Sequence, residues 1–325
     1  MENSVYDIII IGAGPIGLCC AIEAQKKGLS ALILEKGVLV NSIYNFPTNM
    51  TFFSTSKLLE IGDVPFISHN DKPTRAEALE YYRRVVDTWD LNVITFCEAM
   101  SLDRLANDNY IIETPKGVLK TKHVVVSTGF YDTARLMNVA GESLPKVKHF
   151  YDDAHPYVGK KVLVVGAANS ACDIALELYH KNAEVTMVIR GREINTRVKY
   201  WIKPNIENRI KEGSIKAYFG TNIKEIKTTS VVLETPKGEV ILKNDFVLAM
   251  TGYQPDYSLF RKLGIPISAD AQKIPLHNEI TLETSLPNVF VAGVIKSGMK
   301  TSAYFIENSR DDALKIIDAI LTPNP

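Results

Sequence analysis

Near the start of the chain, Val5 to Ile11 form a largely apolar run rich in β-branched residues that stops at Gly12. A short apolar run of this kind predicts a strand buried on both faces, as in a parallel sheet. Ile16 to Lys27 continues as a helical pattern closed by Gly28, and Ala31 to Glu35 supplies a second strand, completing a strand–helix–strand unit. Further on, Thr74-Arg-Ala-Glu77 follows Pro73 with the spacing of a capping box, and Leu79, Tyr82, Val86 and Trp89 recur behind it at helical intervals. Short strands then alternate with turns. Pro115-Lys-Gly117 reads as a hairpin tip, and Val124 to Val126 runs into Ser127-Thr-Gly129.

From Lys161 the opening pattern returns: strand Val162 to Val165, a small-residue turn at Gly166, helix Ala171 to Lys181 and strand Val185 to Ile189. A second hairpin signal, Pro236-Lys-Gly238, precedes the apolar run Phe246 to Met250 and Thr251-Gly252, so the second copy follows the first nearly step for step. The remaining tail holds a strand, Val289 to Ala292, a Gly-rich turn and a helix from about Asp311 to Leu321. It is too short for a third domain and is expected to return and complete the first. At 325 residues the chain also exceeds what one core usually spans. The predicted fold is α/β, with two Rossmann-like dinucleotide-binding domains, one inserted in the other. Residues 1–137 form the first part of the outer domain, 138–248 the inserted domain and 249–325 the second part.

Composition narrows the class of partner. Lys plus Arg equals Asp plus Glu, 37 of each, without a long run of either sign, which argues against nucleic acid or an anionic membrane and for a small-molecule partner. Cys19, Cys20, Cys97 and Cys172 show neither C-x-x-C nor metal-ligand spacing, so no metal site is expected and a reducing compartment fits. The early apolar stretch is short, follows an acidic start and breaks at once into glycines, unlike a signal peptide; a cytoplasmic protein is expected. The oligomeric state stays open, a homo-oligomer included.

Gly12-Ala-Gly14-Pro15-Ile16-Gly17 lies where the first strand becomes the first helix. There the first glycine permits a tight turn, the second lets the backbone approach a pyrophosphate, and the third lets helix pack on strand. The helix start offers N–H groups to phosphate, and Glu35 ends the second strand where a carboxylate accepts ribose hydroxyls. Gly166-Ala-Ala168-Asn169-Ser170-Ala171 is the second copy, with Ala168 in place of the glycine that approaches the pyrophosphate. Arg190 and Arg192 stand where the first copy has Glu35. A carboxylate repels a 2′-phosphate, whereas a guanidinium binds one bidentately, so the first copy suits FAD and the second NADPH. Two such sites make sense for hydride transfer from nicotinamide to flavin. The bland alternatives are a Gly-rich turn with a surface glutamate, and a solvated loop at the two arginines.

Together with Ser127-Thr-Gly129, Thr251-Gly252 and Ala292-Gly293, these motifs resemble the thioredoxin reductase-like flavoproteins. The strings Ser42-Ile-Tyr-Asn45, Met50-Thr-Phe-Phe-Ser54, Ile61-Gly-Asp-Val-Pro-Phe66, Ala154-His-Pro-Tyr157, Trp201-Ile-Lys-Pro-Asn205 and Phe305-Ile-Glu-Asn308 resemble more closely the YpdA-type bacillithiol disulfide reductases, across nearly the whole chain. The resemblance implies that Lys36, Ser42, Asn45, Thr128, Gly129, Gly293 and Val294 join the FAD site and that Gly252 joins the NADPH site. It also implies a small-molecule disulfide as acceptor. Val294 stands where related flavoproteins commonly carry an aspartate that holds the ribityl chain. Members of that family typically have a cysteine inside the first fingerprint, proposed to take part in the disulfide chemistry, and here that position is Ile16. The usual Gly-Asn-Asp-Ala-Asn stretch reads Gly298-Met-Lys-Thr-Ser302.

No catalytic residue is assigned. Cys19, Cys20 and Cys172 fall in the first helices of the two copies and read as small apolar packing; Cys97 falls in a strand-like segment. His149 and His155 read as loop residues near a domain boundary. The leading function is an NADPH-dependent FAD reductase of a small disulfide such as bacillithiol disulfide. The alternatives are a ferredoxin or flavodoxin reductase, whose acceptor is a redox protein and which needs no cysteine, and a non-catalytic FAD and NADPH redox sensor. A monooxygenase is disfavoured because its F-x-G-x-x-x-H linker is met only in part around Gly141 and His149.

Overall fold

Ile8, Ile9 and Ile10 are completely buried, so the strand that carries them, β1 (Val5–Ile11), is covered on both faces. The computed structural model describes residues 5–322. Helix α1 (Pro15–Lys26) follows, with Pro15 at its first position, then β2 (Ala31–Leu34). Pro fits there because its missing N–H is one that a helix start leaves unbonded anyway. Helix α2 (Arg75–Trp89) starts on the expected capping box: Thr74 Oγ1 accepts the Glu77 N–H at 3.3 Å, and a Glu77 carboxylate oxygen accepts the Thr74 N–H at 2.7 Å. Four strands come next: β3 (Val93–Ile94), β4 (Ser101–Arg104), β5 (Tyr110–Thr114) and β6 (Gly117–Val126).

These strands form a seven-stranded sheet in the order β3-β2-β1-β6-β5-β4, with the late strand Val289–Val291 also pairing with β6. β1 lies parallel to β2 and β6, with Ile10 opposite Ile33 on one side and Val125 on the other. Val291 sits opposite Val126, so the tail adds a parallel strand to the sheet that the first residues begin. The last helix, Asp312–Leu321, packs against α1. Residues up to Thr133, together with those from Tyr253 onward, thus make one compact unit.

Ala134–Gly252 is the second unit. Its strands β7 (Val147–Lys148), β8 (Lys161–Val165), β9 (Glu184–Ile189) and β10 (Lys216–Phe219), with helix α3 (Asn169–His180) between β8 and β9, repeat the strand–helix–strand layout. An antiparallel meander follows, β11 (Asn222–Ile226), β12 (Ser230–Thr235) and β13 (Gly238–Lys243), and then β14 (Phe246–Ala249). The parallel sheet runs β10-β9-β8-β14-β7, with Val164 completely buried at its centre. This is the α/β pair of Rossmann-like folds that the repeated pattern predicts.

Two local readings differ from the structure by more than a one-residue shift of an element's end. Helix α3 begins at Asn169, two residues before the expected start, because Ala168 is extended and serves as the residue before the helix. Cys97 is not in a strand: β3 ends at Ile94 and Phe96 has a positive φ of 51°, which breaks the ladder. Removing the cap by Thr74→Ala is expected to cost about 1 kcal/mol, read as a lower denaturation midpoint. An unchanged midpoint would show that tertiary contacts alone hold the start of α2.

Candidate dinucleotide sites

The first fingerprint is built on two backbone approaches that a side chain would block. Gly12 has a φ of +111°, and a Cβ there would fall 2.8 Å from the Ser127 carbonyl oxygen. A Cβ on Gly17 would fall 2.0 Å from the Gly12 carbonyl oxygen, so α1 can start directly against the end of β1. At Gly14 a Cβ would meet nothing within 4 Å. Gly14 therefore faces open space at the residue before α1, where no side chain caps the helix and the first-turn N–H groups can take an anion.

Glu35 is 6% exposed, and its two oxygens accept different backbone N–H groups, Ala13 at 2.9 Å and Gly37 at 2.8 Å. It thereby ties the glycine turn to the end of β2, a role the sequence does not reveal. Each oxygen keeps a lone pair for a ribose hydroxyl. Burial pushes the Glu35 pKa above its usual value, against the pull of the Gly37 and Ala13 N–H groups.

The other residues of this site gather around the same turn. A Cβ on Gly12 would lie 3.2 Å from Thr128 Cα, one on Gly129 3.8 Å from Ser42 Oγ, and one on Gly293 3.3 Å from Ile16 Cγ1. Thr128 Oγ1 is buried without a hydrogen-bond partner among the described residues, the condition of an atom that a polar ligand would satisfy. Lys36 pairs with Asp132 at 2.8 Å. Asn45 is exposed and its amide donates to the Asn41 carbonyl at 2.9 Å, while Val294 is half-buried beside Gly293. Sequence reasoning missed the pair behind Gly293. Asp312 accepts the Gly293 N–H at 2.9 Å and also binds Lys296, both side chains being buried.

In the second unit Gly166 has a φ of +129°, and a Cβ there would lie 2.6 Å from the Met250 carbonyl oxygen and 3.2 Å from Ala171 Cβ. Ala168 and Ser170 are exposed at the start of α3, and Gly252 has a φ of +98°. Asn169 Oδ1 accepts the Lys199 N–H at 2.9 Å and the Asn195 N–H donates to the Ala167 carbonyl at 3.1 Å, which docks the loop after β9 onto the helix start. Arg190 and Arg192, at the beginning of that loop, are exposed and in no ion pair among the described residues. They are free to meet an added phosphate.

All four cysteines are buried and unpaired with one another. Burial pushes the Cys19 and Cys172 thiols up to about 12 and raises Cys20 well above its ordinary value, so none of these three is a thiolate near neutral pH. Among the described residues no helix is long and apolar enough to cross a membrane, and no group of three or more His, Cys, Asp or Glu could hold a metal ion.

Two strand–turn–helix glycine turns on separate Rossmann units are the layout of oxidoreductases that couple a pyridine nucleotide to a flavin nucleotide. The pyridine nucleotide-disulphide oxidoreductase family matches residues 9–293. The bacilliredoxin reductase Bdr of Bacillus subtilis is 45% identical over 303 residues, covering 93% of each chain. The bacillithiol disulfide reductase Bdr (YpdA) of Staphylococcus aureus superposes with a TM-score of 0.94 at 40% identity, covering 98% of this chain and 99% of that one. The corresponding protein of Bacillus cereus gives 0.94 at 42% identity, with the same coverage. The chain belongs to the pyridine nucleotide-disulphide oxidoreductases and, within them, to the Bdr (YpdA) type.

Glu35→Ala is expected to weaken FAD retention by roughly ten- to a hundredfold, since acceptor bonds to a charged group are worth about 1.5–3 kcal/mol. The ionised carboxylate is the better acceptor, and its pKa is raised. Retention should therefore begin to fall, as pH is lowered, above the ordinary glutamate value of about 4.3, and Glu35→Ala should flatten that profile. Equilibrium titration of apoprotein with FAD across pH reads both effects; identical profiles for parent and variant would remove Glu35 from the site.

Proposed function

We propose that this protein is a cytosolic flavoprotein that takes two electrons from NADPH and delivers them, through FAD, to a small disulfide such as bacillithiol disulfide. In balance, NADPH, one proton and the disulfide give NADP⁺ and two thiols. The observation that carries the reading is the contrast between the two copies: a buried carboxylate, Glu35, ends the second strand of one, and exposed Arg190 and Arg192 follow the second strand of the other. The disulfide is suggested by relatives named as bacilliredoxin and bacillithiol disulfide reductases.

A bound flavin would supply the two-electron relay between nucleotide and disulfide. The chain's own residues bind and orient. Gly12, Gly14, Pro15, Ile16 and Gly17 receive the FAD pyrophosphate, and Glu35 the adenosine ribose. Lys36, Ser42, Asn45, Thr128, Gly129, Gly293 and Val294 complete that site. Gly166, Ala168, Asn169, Ser170, Ala171 and Gly252 receive the NADPH pyrophosphate and ribose, while Arg190 and Arg192 bind its 2′-phosphate. A second reading, direct transfer to a ferredoxin or flavodoxin, is favoured by one observation: Ile16 replaces the family cysteine, and all four cysteines of the chain are buried.

NADPH is expected to reduce the flavin more efficiently than NADH under anaerobic stopped flow, and changing Arg190 and Arg192 together to alanine should erase most of that preference. Discrimination kept by the double variant would mean that the 2′-phosphate is read elsewhere. Replacing all four cysteines should leave anaerobic flavin reduction by NADPH largely intact. Disulfide reduction usually runs through an attacking thiolate. On the second reading, parent protein turns over bacillithiol disulfide poorly and a flavodoxin or ferredoxin better, and Ile16→Cys raises the disulfide rate; efficient disulfide turnover by the parent supports the first. Efficient disulfide turnover by the cysteine-free variant would show that no thiol relay is needed.

A further inference from the structure

Among the described residues, Lys296 and Asp312 form the one ion pair in which both side chains are more than nine-tenths buried, at 8% and 3% exposure. Its position gives it more than a packing role. Lys296 lies in the short 3₁₀ stretch Gly293–Ser297, and Asp312 is the first residue of the last helix. One Asp312 oxygen accepts the Gly293 N–H at 2.9 Å and the other binds the Lys296 ammonium, which also lies 4.2 Å from the centroid of the Tyr304 ring. Gly293 is the residue whose Cα faces Ile16 of the first fingerprint. The pair therefore holds the Gly293 turn that meets Ile16, at the motif where Val294 leaves no carboxylate.

Packing alone gives little reason for charges here, because a buried ion pair is commonly no more stabilising than apolar residues of the same volume. Fixing the turn needs only the Asp312 acceptor. The lysine offsets the negative charge of that acid beside a site whose ligand gains electrons, and the charge near a flavin is one means by which a protein sets its electronics.

We propose that Asp312 and Lys296 are a positioning and tuning pair for the flavin. Asp312 anchors the Gly293 turn, and Lys296 cancels the Asp312 charge that would otherwise disfavour the reduced cofactor. This rests on the assignment of FAD to the first unit.

The test is the flavin midpoint potential of full-length protein, measured by dye equilibration, with the FAD dissociation constant measured beside it. Lys296→Met leaves an uncompensated acid and should lower the ratio of reduced to oxidised flavin at fixed ambient potential by about tenfold, about 30 mV for a two-electron couple. Asp312→Asn leaves an uncompensated cation and should shift the ratio about as far the other way. Opposite signs are the signature, since a purely structural lesion has no reason to reverse with the charge removed. FAD bound by both variants with unmoved potentials, or with shifts of the same sign, overturns the proposal. Where a single variant does not fold, the neutral pair Lys296→Met with Asp312→Leu decides. It should fold but bind FAD at least fivefold more weakly, because the Gly293 N–H has lost its acceptor, and unchanged affinity overturns the proposal. Parent protein that binds no FAD overturns the cofactor reading and this proposal with it.

Discussion

The approach of the Gly17 Cα to the Gly12 carbonyl is the contact on which the first unit depends. A Cβ at Gly17 would come within 2.0 Å of that oxygen, and no rotamer can relieve a clash between Cβ and backbone. With glycine there, α1 starts where β1 ends, and its free first-turn N–H groups lie beside the open face of Gly14. The second unit makes the same turn more loosely. Ala171 occupies the third fingerprint position, and only the approach of the first glycine is kept, Gly166 against the Met250 carbonyl as Gly12 is against that of Ser127. One architecture thus tolerates a methyl group in one copy at the position where it would exclude one in the other.

What distinguishes the two turns chemically is the solvation of the charge near the end of the second strand. Glu35 is buried and already spends both oxygens on backbone N–H groups, so its charge is held in one place and its proton affinity is raised. A carboxylate fixed in this way reads hydroxyl groups and rejects phosphate. Arg190 and Arg192 are exposed, which leaves their guanidinium groups hydrated until an anion arrives. Such surface charges favour a ligand that exchanges, whereas a buried, doubly bonded carboxylate favours one that stays. That difference is what a resident flavin and a diffusing nucleotide require.

The sequence discloses the strands, the helices and both fingerprints because each is a local pattern: an apolar run, a periodic face, or glycines at fixed spacing. Boundaries shift where a backbone angle decides, as at Phe96, whose positive φ ends a strand that composition would extend to Cys97. The second role of Glu35 was hidden because its partner Ala13 is 22 positions away and a backbone N–H leaves no trace in a sequence. Lys296 and Asp312, 16 positions apart in different elements, were equally illegible. They meet only when the chain returns and the last helix packs on α1. Thr128 stood out only as part of a motif; its unpartnered hydroxyl is a fact of three dimensions.

The cysteines show how position can cancel chemical identity. Cys19 and Cys20 lie in α1, within a turn or so of the phosphate-binding start, and a helix N-terminus ordinarily lowers a thiol pKa. Here burial outweighs that effect and drives both upward, because the thiolate would have to form among apolar neighbours; the pull of Arg310 and Lys26 on Cys19 is too small to offset it. The position on α1 whose side chain reaches the third motif is Ile16, which touches the Gly293 turn and carries no sulfur. A residue there meets the candidate flavin site, whereas Cys19 and Cys20 face the core. The chain therefore has thiols close to the helix start but none at position 16, whose side chain meets the Gly293 turn.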